Sequence, residues 1–348
     1  MAAVVVAFIG ALGVTGPRPQ LAGAVLLVVT VDAWLRTADD GRPRWWLVPL
    51  TWLWACTHGG WVIGIAVGLL VSLAGLLDHP GRPLSRRLLP FAVPALGGVA
   101  ALLTPVGPRL LGAMGQIGQI SEFINEWQAP SLLVPFMAFT MGGIAVIVVA
   151  ALTVPNYPLN WARIVLLAFA AASAMTYLRT IAVGALVMAP LLAEALQALI
   201  GRSPTPPSRV ERSVALGGVA LALVVAGLAL PSIARDPGEV PVGLSPRLAE
   251  LGPQVIYDEI ALGGWIMHAH PQLTPVIDTR SEVFGRAYLE DYRVVERAAR
   301  GWEAKFDAAH ARVALLLEDS PLASALVAQR GWQAMGADAG YVLLVAPG

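Results

Sequence analysis

Nine apolar runs fill the first two thirds of this 348-residue chain, at about 2–15, 21–35, 46–57, 60–77, 89–105, 131–153, 161–178, 180–199 and 213–231. This succession constrains the fold more than any single motif. In hydrocarbon every backbone N–H and C=O must find its partner within the protein, and for runs of roughly 17–25 residues the α-helix does so. Hydrophobic residues make up 57% of the chain and charged residues only 13%, where globular proteins average about 45–50% and about 25%. A soluble protein of this size has too little interior for so much apolar surface. The expected fold is an α-helical polytopic membrane protein with about nine spans over residues 1–231, a linker over 232–251 and a small C-terminal α/β soluble domain over 252–348.

The first run is apolar from Met1, with no positive segment before it and no Ala-x-Ala-type cleavage site. That argues against a signal peptide. The run reads as the tail of a helix whose beginning is missing.

The formal net charge of zero conceals two halves. Residues 1–234 hold 13 arginines against eight acids, a net of +5, and residues 235–348 carry a net of −5. The halves suit two environments, a membrane and an aqueous compartment. Neither has the basic patches with interleaved aromatics of a nucleic-acid binder. The single cysteine, Cys56, rules out an intramolecular disulfide.

Arginine placement predicts the topology, because cytoplasmic loops are enriched in Lys and Arg. Nine spans with a cytoplasmic start put Arg36, Arg42, Arg44, Arg82, Arg86, Arg87, Arg163, Arg202, Arg209 and Arg212 on one side, and only Arg18, Arg109 and Arg179 on the other. This parity requires the run 46–77 to divide at His58-Gly59-Gly60, with the two glycines allowing close approach in a tight outer turn. It also places the C-terminal domain outside the cytoplasm. In that domain "QVIYD", "TPVIDTR", "RVALLLE" and "YVLLVA" read as strands, and "AYLEDYRVVERAA" and "PLASALVAQR" have helical spacing.

The residues able to carry chemistry then gather on the outer face: Arg18, His58, Arg109, Glu122, Glu126, Trp127 and Arg179. Ionisable groups at membrane depth are costly and commonly functional. Glu122 and Glu126 are spaced i, i+4 and would share a helix face, where a like-charged pair calls for a nearby cation. Each residue also has a structural reading. The glutamates and Trp127 fit an interfacial helix with a headgroup anchor, His58 a hydrogen bond closing a turn, and Arg18 an interfacial anchor. In the soluble domain Asp278 and Arg280 end a probable strand, as site residues or as a structural ion pair. His268 and His270 lack an obvious third ligand, so no metal is expected there.

Several motifs are collinear with one family: "RPQL" (18–21), "WACTHGGWVIG" (54–64), "TPVGPRLL" (104–111) with "NEWQAP" (125–130), "YLRTIAVGALVMAPLLA" (177–193), and "LGGWIMHAHP" with "PVIDTRSEVFG" (262–285). On these the chain resembles the C-terminal two thirds of bacterial GT-C-like membrane glycosyltransferases, the group that includes polyprenyl-phosphate-sugar-dependent mannosyltransferases and aminoarabinose transferases. The resemblance implies a multi-pass bacterial inner (plasma) membrane protein that transfers a sugar from a polyprenyl-phosphate donor to an envelope acceptor on the extracytoplasmic face. It implies Arg18, His58 and Arg179 as candidates for the donor phosphate, Glu122 or Glu126 as base and Trp127 for the sugar face, while Arg109 is a substrate-binding candidate from the residues themselves, as a cation that could stand beside the two glutamates. The family's early acidic outer loop has no counterpart here, and Cys56 stands where the family often has Asn. The chain is therefore read as a GT-C-like transferase or a truncated member. No cofactor is implied with certainty, and a divalent cation belongs only to a full-length form. The alternative is a non-enzymatic membrane protein of envelope assembly whose outer domain binds a protein partner.

Overall fold

The computed structural model describes residues 2–14, 19–112, 122, 125–201, 208–235 and 240–348. Contacts divide the chain into two compact units, Met1–Thr205 and Pro206–Gly348. The ninth apolar run falls within the second unit.

The first unit is all helical. Its helices are α1 (Ala2–Gly10), α2 (Pro19–Asp40), α3 (Leu47–Thr57), α4 (Trp61–Asp78), α5 (Leu84–Leu88), α6 (Ala92–Leu102), α7 (Pro135–Thr153), α8 (Trp161–Thr176) and α9 (Ile181–Leu199). Among the described residues four helical segments are long and apolar enough to cross a membrane: Pro19–Asp40, Trp61–Asp78, Pro135–Thr153 and Leu178–Leu199. Leu47–Thr57 and Trp161–Thr176 are apolar but shorter. Every expected run carries a helix.

Helix α9 is the centre of the bundle, packed on α1, α2, α7 and α8. Leu166, Met188, Leu191 and Leu192 are buried there. Small residues set the spacing, as where lipid offers no hydrophobic drive and close backbone contact must supply it. A Cβ at Gly184 would lie 2.5 Å from the Ala170 carbonyl oxygen, and one at Gly68 would lie 2.7 Å from the Trp34 ring. The outside is apolar as well: Leu103, Val99 and Leu152 are 73%, 56% and 80% exposed.

The two ends of the bundle differ in chemistry. At one end the Asp78 carboxylate accepts the N–H groups of Trp161 (2.8 Å) and Ala162 (3.0 Å), two donors that the start of α8 leaves without intrahelical partners. Asn160 accepts the Arg163 N–H as N-cap. Arg163 is buried and clamps Glu194 through two bonds of 2.8 and 2.9 Å, and reaches Asp39 at 3.1 Å. Arg44, Arg82, Arg86 and Arg87 belong to this end. The opposite end holds His58, Glu126 and Arg179. Helix α4 links the two over its 18 residues, about 27 Å at 1.5 Å per residue.

The second unit begins with α10 (Arg209–Arg235). A reciprocal capping box starts it: Ser208 Oγ accepts the Glu211 N–H and Glu211 accepts the Ser208 N–H. The α/β domain follows, with α11 (Ser245–Glu250), β1 (Gln254–Asp258), α12 (Gly263–Ala269), β2 (Leu273–Pro275), α13 (Ser281–Phe284), α14 (Arg286–Glu296), α15 (Trp302–Ala308), β3 (Val313–Leu317), α16 (Pro321–Arg330), β4 (Gln333–Asp338) and β5 (Tyr341–Val345). The sheet order is β2-β1-β3-β5-β4. Strands β2, β1 and β3 are parallel (Gln254 opposite Leu273, Ile256 opposite Val313), and β5 is antiparallel to both β3 and β4. A two-residue turn at Ala339-Gly340, both with positive φ, joins β4 to β5, the backbone a right-twisted hairpin needs.

The expected linker to 251 is shorter in the structure. Leu244 and Leu248 are buried in the same core as Ile256, Leu262, Ile266 and Leu315. The expected strand over 274–280 shrinks to Leu273–Pro275; beyond it the Val276 N–H is shared between the Ile256 carbonyl (3.1 Å) and the Asp258 carboxylate, and the Ile277 N–H donates to the Asp258 carboxylate.

Candidate functional site

His58 follows the last residue of α3 in an extended conformation, its N–H bonded to the Trp54 carbonyl at 2.8 Å. The imidazole folds back so that the Gly60 N–H donates to Nδ1 at 3.0 Å. Two glycines make room for it. A Cβ on Gly60 would come within 3.0 Å of Nδ1, and one on Gly23 of α2 within 3.2 Å of both Nδ1 and Trp54 Nε1. A Cβ on Gly59 would meet open space, so close approach at this turn rests on Gly60 and Gly23, not on the Gly59-Gly60 pair.

Arg179 lies in a single 3-10 turn, Leu178–Thr180, between α8 and α9. The turn is fastened by Thr180, whose Oγ1 accepts the Tyr177 N–H and donates to the Ser173 carbonyl. A second short turn, Asn125–Trp127, is tied to it by the Leu178 N–H, which donates to the Gln128 carbonyl at 3.0 Å. Together these turns place four side chains against one another. Arg179 Nη1 donates to Glu126 at 3.1 Å, and its Nη2 stands 3.3 Å from His58 Nε2. Its guanidinium carbon lies 5.9 Å from the centre of the Trp127 ring, within cation–π range. Tyr177 supports Trp127 edge-on, with ring centroids 5.1 Å apart. Side-chain exposure is 30% for Arg179 and 39% for Glu126, so the group opens to the surroundings.

The protonation of His58 follows from its partners. A neutral imidazole has one N–H and one acceptor nitrogen. Nδ1 accepts from Gly60, so the proton is assigned to Nε2, the nitrogen that faces Arg179. A guanidinium cannot accept. Two donors therefore meet at 3.3 Å with no acceptor between them. The other tautomer only moves the conflict, to Nδ1–H against the Gly60 N–H at 3.0 Å. Burial, and then the neighbouring Arg179 charge, hold the imidazole below its usual pKa and keep it neutral. Donors converging from a cation and a neutral ring fit an anionic oxygen.

Arg109 is exposed and has no ion pair or hydrogen bond with His58, Glu126 or Arg179 among the described residues. Glu122 is exposed, and its neighbours 113–121 and 123–124 lie outside the described residues, as does Arg18. The expectation that Glu122 and Glu126 share a helix face changes accordingly, since Glu126 sits in a 3-10 turn and its carboxylate faces Arg179.

In the α/β domain Asp278 and Arg280 form a local pair. Arg280 donates to Asp278 from its backbone N–H at 2.7 Å and from Nε at 3.0 Å, and this holds the Asp278 carboxyl below the usual carboxylate range. The pair closes the turn from β2 into α13. His270 meets Ser245 Oγ at 3.2 Å, and no three His, Cys, Asp or Glu side chains are grouped to hold a metal among the described residues. Sequence reading missed Asp258 and Glu259, at the C-terminal end of β1 where the strand order reverses and α/β ligands commonly bind. Here these carboxyls serve the fold. Asp258 Oδ1 accepts from Val276 (2.9 Å) and Ile277 (3.3 Å), and Glu259 accepts the Leu317 N–H at 3.2 Å. The signal was an acid pair directly after an apolar strand.

No family model and no curated protein matches the chain.

Proposed function

We propose that this chain is a GT-C-like integral membrane glycosyltransferase, and that the His58–Arg179 pair holds the phosphate of a polyprenyl-phosphate sugar donor. The observation that carries this reading is the donor-to-donor meeting of His58 Nε2 and Arg179 Nη2, which a phosphate oxygen would satisfy from both sides. Trp127 beside the guanidinium offers an apolar face for a sugar ring.

The chemistry is a displacement at the anomeric carbon. The acceptor hydroxyl oxygen forms the new C–O bond, the anomeric C–O bond to phosphate breaks, and the electron pair leaves with polyprenyl phosphate. Arg179 and His58 stabilise that growing charge. Glu126 takes the acceptor proton. The orientation inferred from arginine placement puts this end, and the α/β domain, on the extracytoplasmic side of a bacterial inner membrane.

The test is release of polyprenyl phosphate from a radiolabelled polyprenyl-phosphate hexose by the purified chain. Glu126→Gln should lower turnover more than about tenfold, the low end of base-catalysis effects. Equal turnover in the two proteins would remove Glu126 from the chemistry.

A further inference from the structure

At the arginine-rich end a cleft opens between α2, α4 and α5, lined by Thr37, Ser72, His79, Arg82, Arg86 and Arg87. The acids of this end are engaged elsewhere: Asp40 with Arg44, Asp39 and Glu194 with Arg163, Asp32 with Arg36, and Asp78 with the first amides of α8. Among the described residues no carboxylate pairs with Arg82, Arg86 or Arg87. Backbone carbonyls anchor two of these arginines and the histidine without neutralising charge. Arg82 donates to the Asp40 carbonyl at 3.2 Å, His79 Nε2 bonds the Ala38 carbonyl at 2.8 Å, and Arg87 Nη2 donates to the Leu76 carbonyl.

Two buried polar atoms in the cleft have no partner. Ser72 is 2% exposed, and neither its Oγ nor Arg87 Nε makes a hydrogen bond. A buried donor left unpaired costs free energy, and both of these line a cleft with three unneutralised guanidinium groups. Exposed leucines stand on the same elements, Leu73 and Leu77 on α4 and Leu84 and Leu88 on α5.

We propose that this cleft binds the phosphate of an anionic phospholipid, with Arg82, Arg86 and Arg87 around it, Ser72 Oγ and Arg87 Nε donating to its oxygens, and the acyl chains along the exposed leucines. Basic pockets between membrane helices commonly take such headgroups. A soluble phosphate would use the same donors but not the leucines. The site lies at the other end of the bundle from the His58–Arg179 pair and stands independently of the transferase reading.

The test is native mass spectrometry of the full chain in detergent, titrated with phosphatidylglycerol, phosphatidylcholine or inorganic phosphate. Phosphatidylglycerol should be retained at least about tenfold more tightly than phosphatidylcholine. Arg86→Gln, at an exposed position, and Arg87→Gln should each reduce retention several-fold, Ser72→Ala should also weaken it, and Arg44→Gln, which removes a paired charge at the same end, should leave it unchanged. Equal retention of the two lipids would overturn the proposal. So would an Arg44→Gln loss as large as that of Arg86→Gln, or displacement of phosphatidylglycerol by millimolar inorganic phosphate.

Discussion

A methyl group added at Gly184 tests the packing that holds the candidate site together. Gly184 lies one turn into α9, just beyond the 3-10 turn that carries Arg179. Its Cβ would lie 2.5 Å from the Ala170 carbonyl oxygen and 3.0 Å from Ala174 Cβ. Ordinary contact begins at about 3.4 Å, so α8 and α9 must part by most of an ångström along their closest line. The obstacle is backbone and cannot rotate away. Overpacking of this kind costs about 1–3 kcal/mol. Ala is the better helix former by up to about 1 kcal/mol, so the net loss should be about 1–2 kcal/mol. Gly142 of α7 is the control, since a methyl there meets nothing within 4 Å. Thermal unfolding of the detergent-solubilised chain should show Gly184→Ala several degrees below wild type and Gly142→Ala unchanged or slightly higher. Equal melting of the two variants would refute the reasoning, because it would mean that α8 and α9 are not in backbone contact.

Two further predictions concern buried charge. Arg163 has a side chain only 10% exposed and two carboxylate partners, the nearer of them, Glu194, about one third exposed. Breaking a buried pair costs about 3–5 kcal/mol; with Glu194 partly solvated, Arg163→Gln should cost about 1–3 kcal/mol in the same melt, and Arg163→Lys should fail to restore it because the two-bond fork is lost. A loss below about 0.5 kcal/mol would show the network to be idle. The second prediction concerns Asp258, fully buried, where burial pushes the carboxyl up to about 8. The folded state thus holds a proton that the unfolded state has released, so stability is greatest at low pH and is lost as pH rises toward 8, at up to about 1.4 kcal/mol per pH unit. Hydrogen exchange of β1 and β2 in the full chain should quicken between pH 6.5 and 8, beyond the intrinsic rise, and Asp258→Asn should remove that excess. Parallel profiles for the two proteins would contradict it.

Much of the fold was legible wherever local chemistry and tertiary packing agree. Pro321–Arg330 was expected as a helix with those bounds, and the structure supplies the reasons: the Ser320 cap on the Ala323 N–H, Pro at the first position and Gly331 in the left-handed region at the end. The apolar runs became helices because most of their residues favour burial in lipid, where the backbone must pair within its own segment. β4 was missed because "QAMGAD" has no β-branched residue and carries a glycine, so its pairing is set by β5 and the hairpin. α12 was missed because Gly263-Gly264 suggests a turn; Gly263 is needed instead because a Cβ would strike the Ile277 carbonyl oxygen. At the site, topology alone gathered His58, Glu126, Trp127 and Arg179 on one face. The role of Gly23 was not readable, since it lies 35 residues from His58 in sequence and matters through a contact between helices. The facing donors were not readable either, because a tautomer is set by geometry.

The central claim is that His58 and Arg179 together bind a phosphate. Equilibrium binding of a polyprenyl phosphate, set against the corresponding polyprenol, to the full chain in nanodiscs tests it most directly. The account predicts saturable binding of the phosphate alone, weakened more than about tenfold by Arg179→Leu, since hydrogen bonds to charged groups contribute about 1.5–3 kcal/mol. Equal binding of the polyprenol, or full-strength phosphate binding in Arg179→Leu, would contradict it.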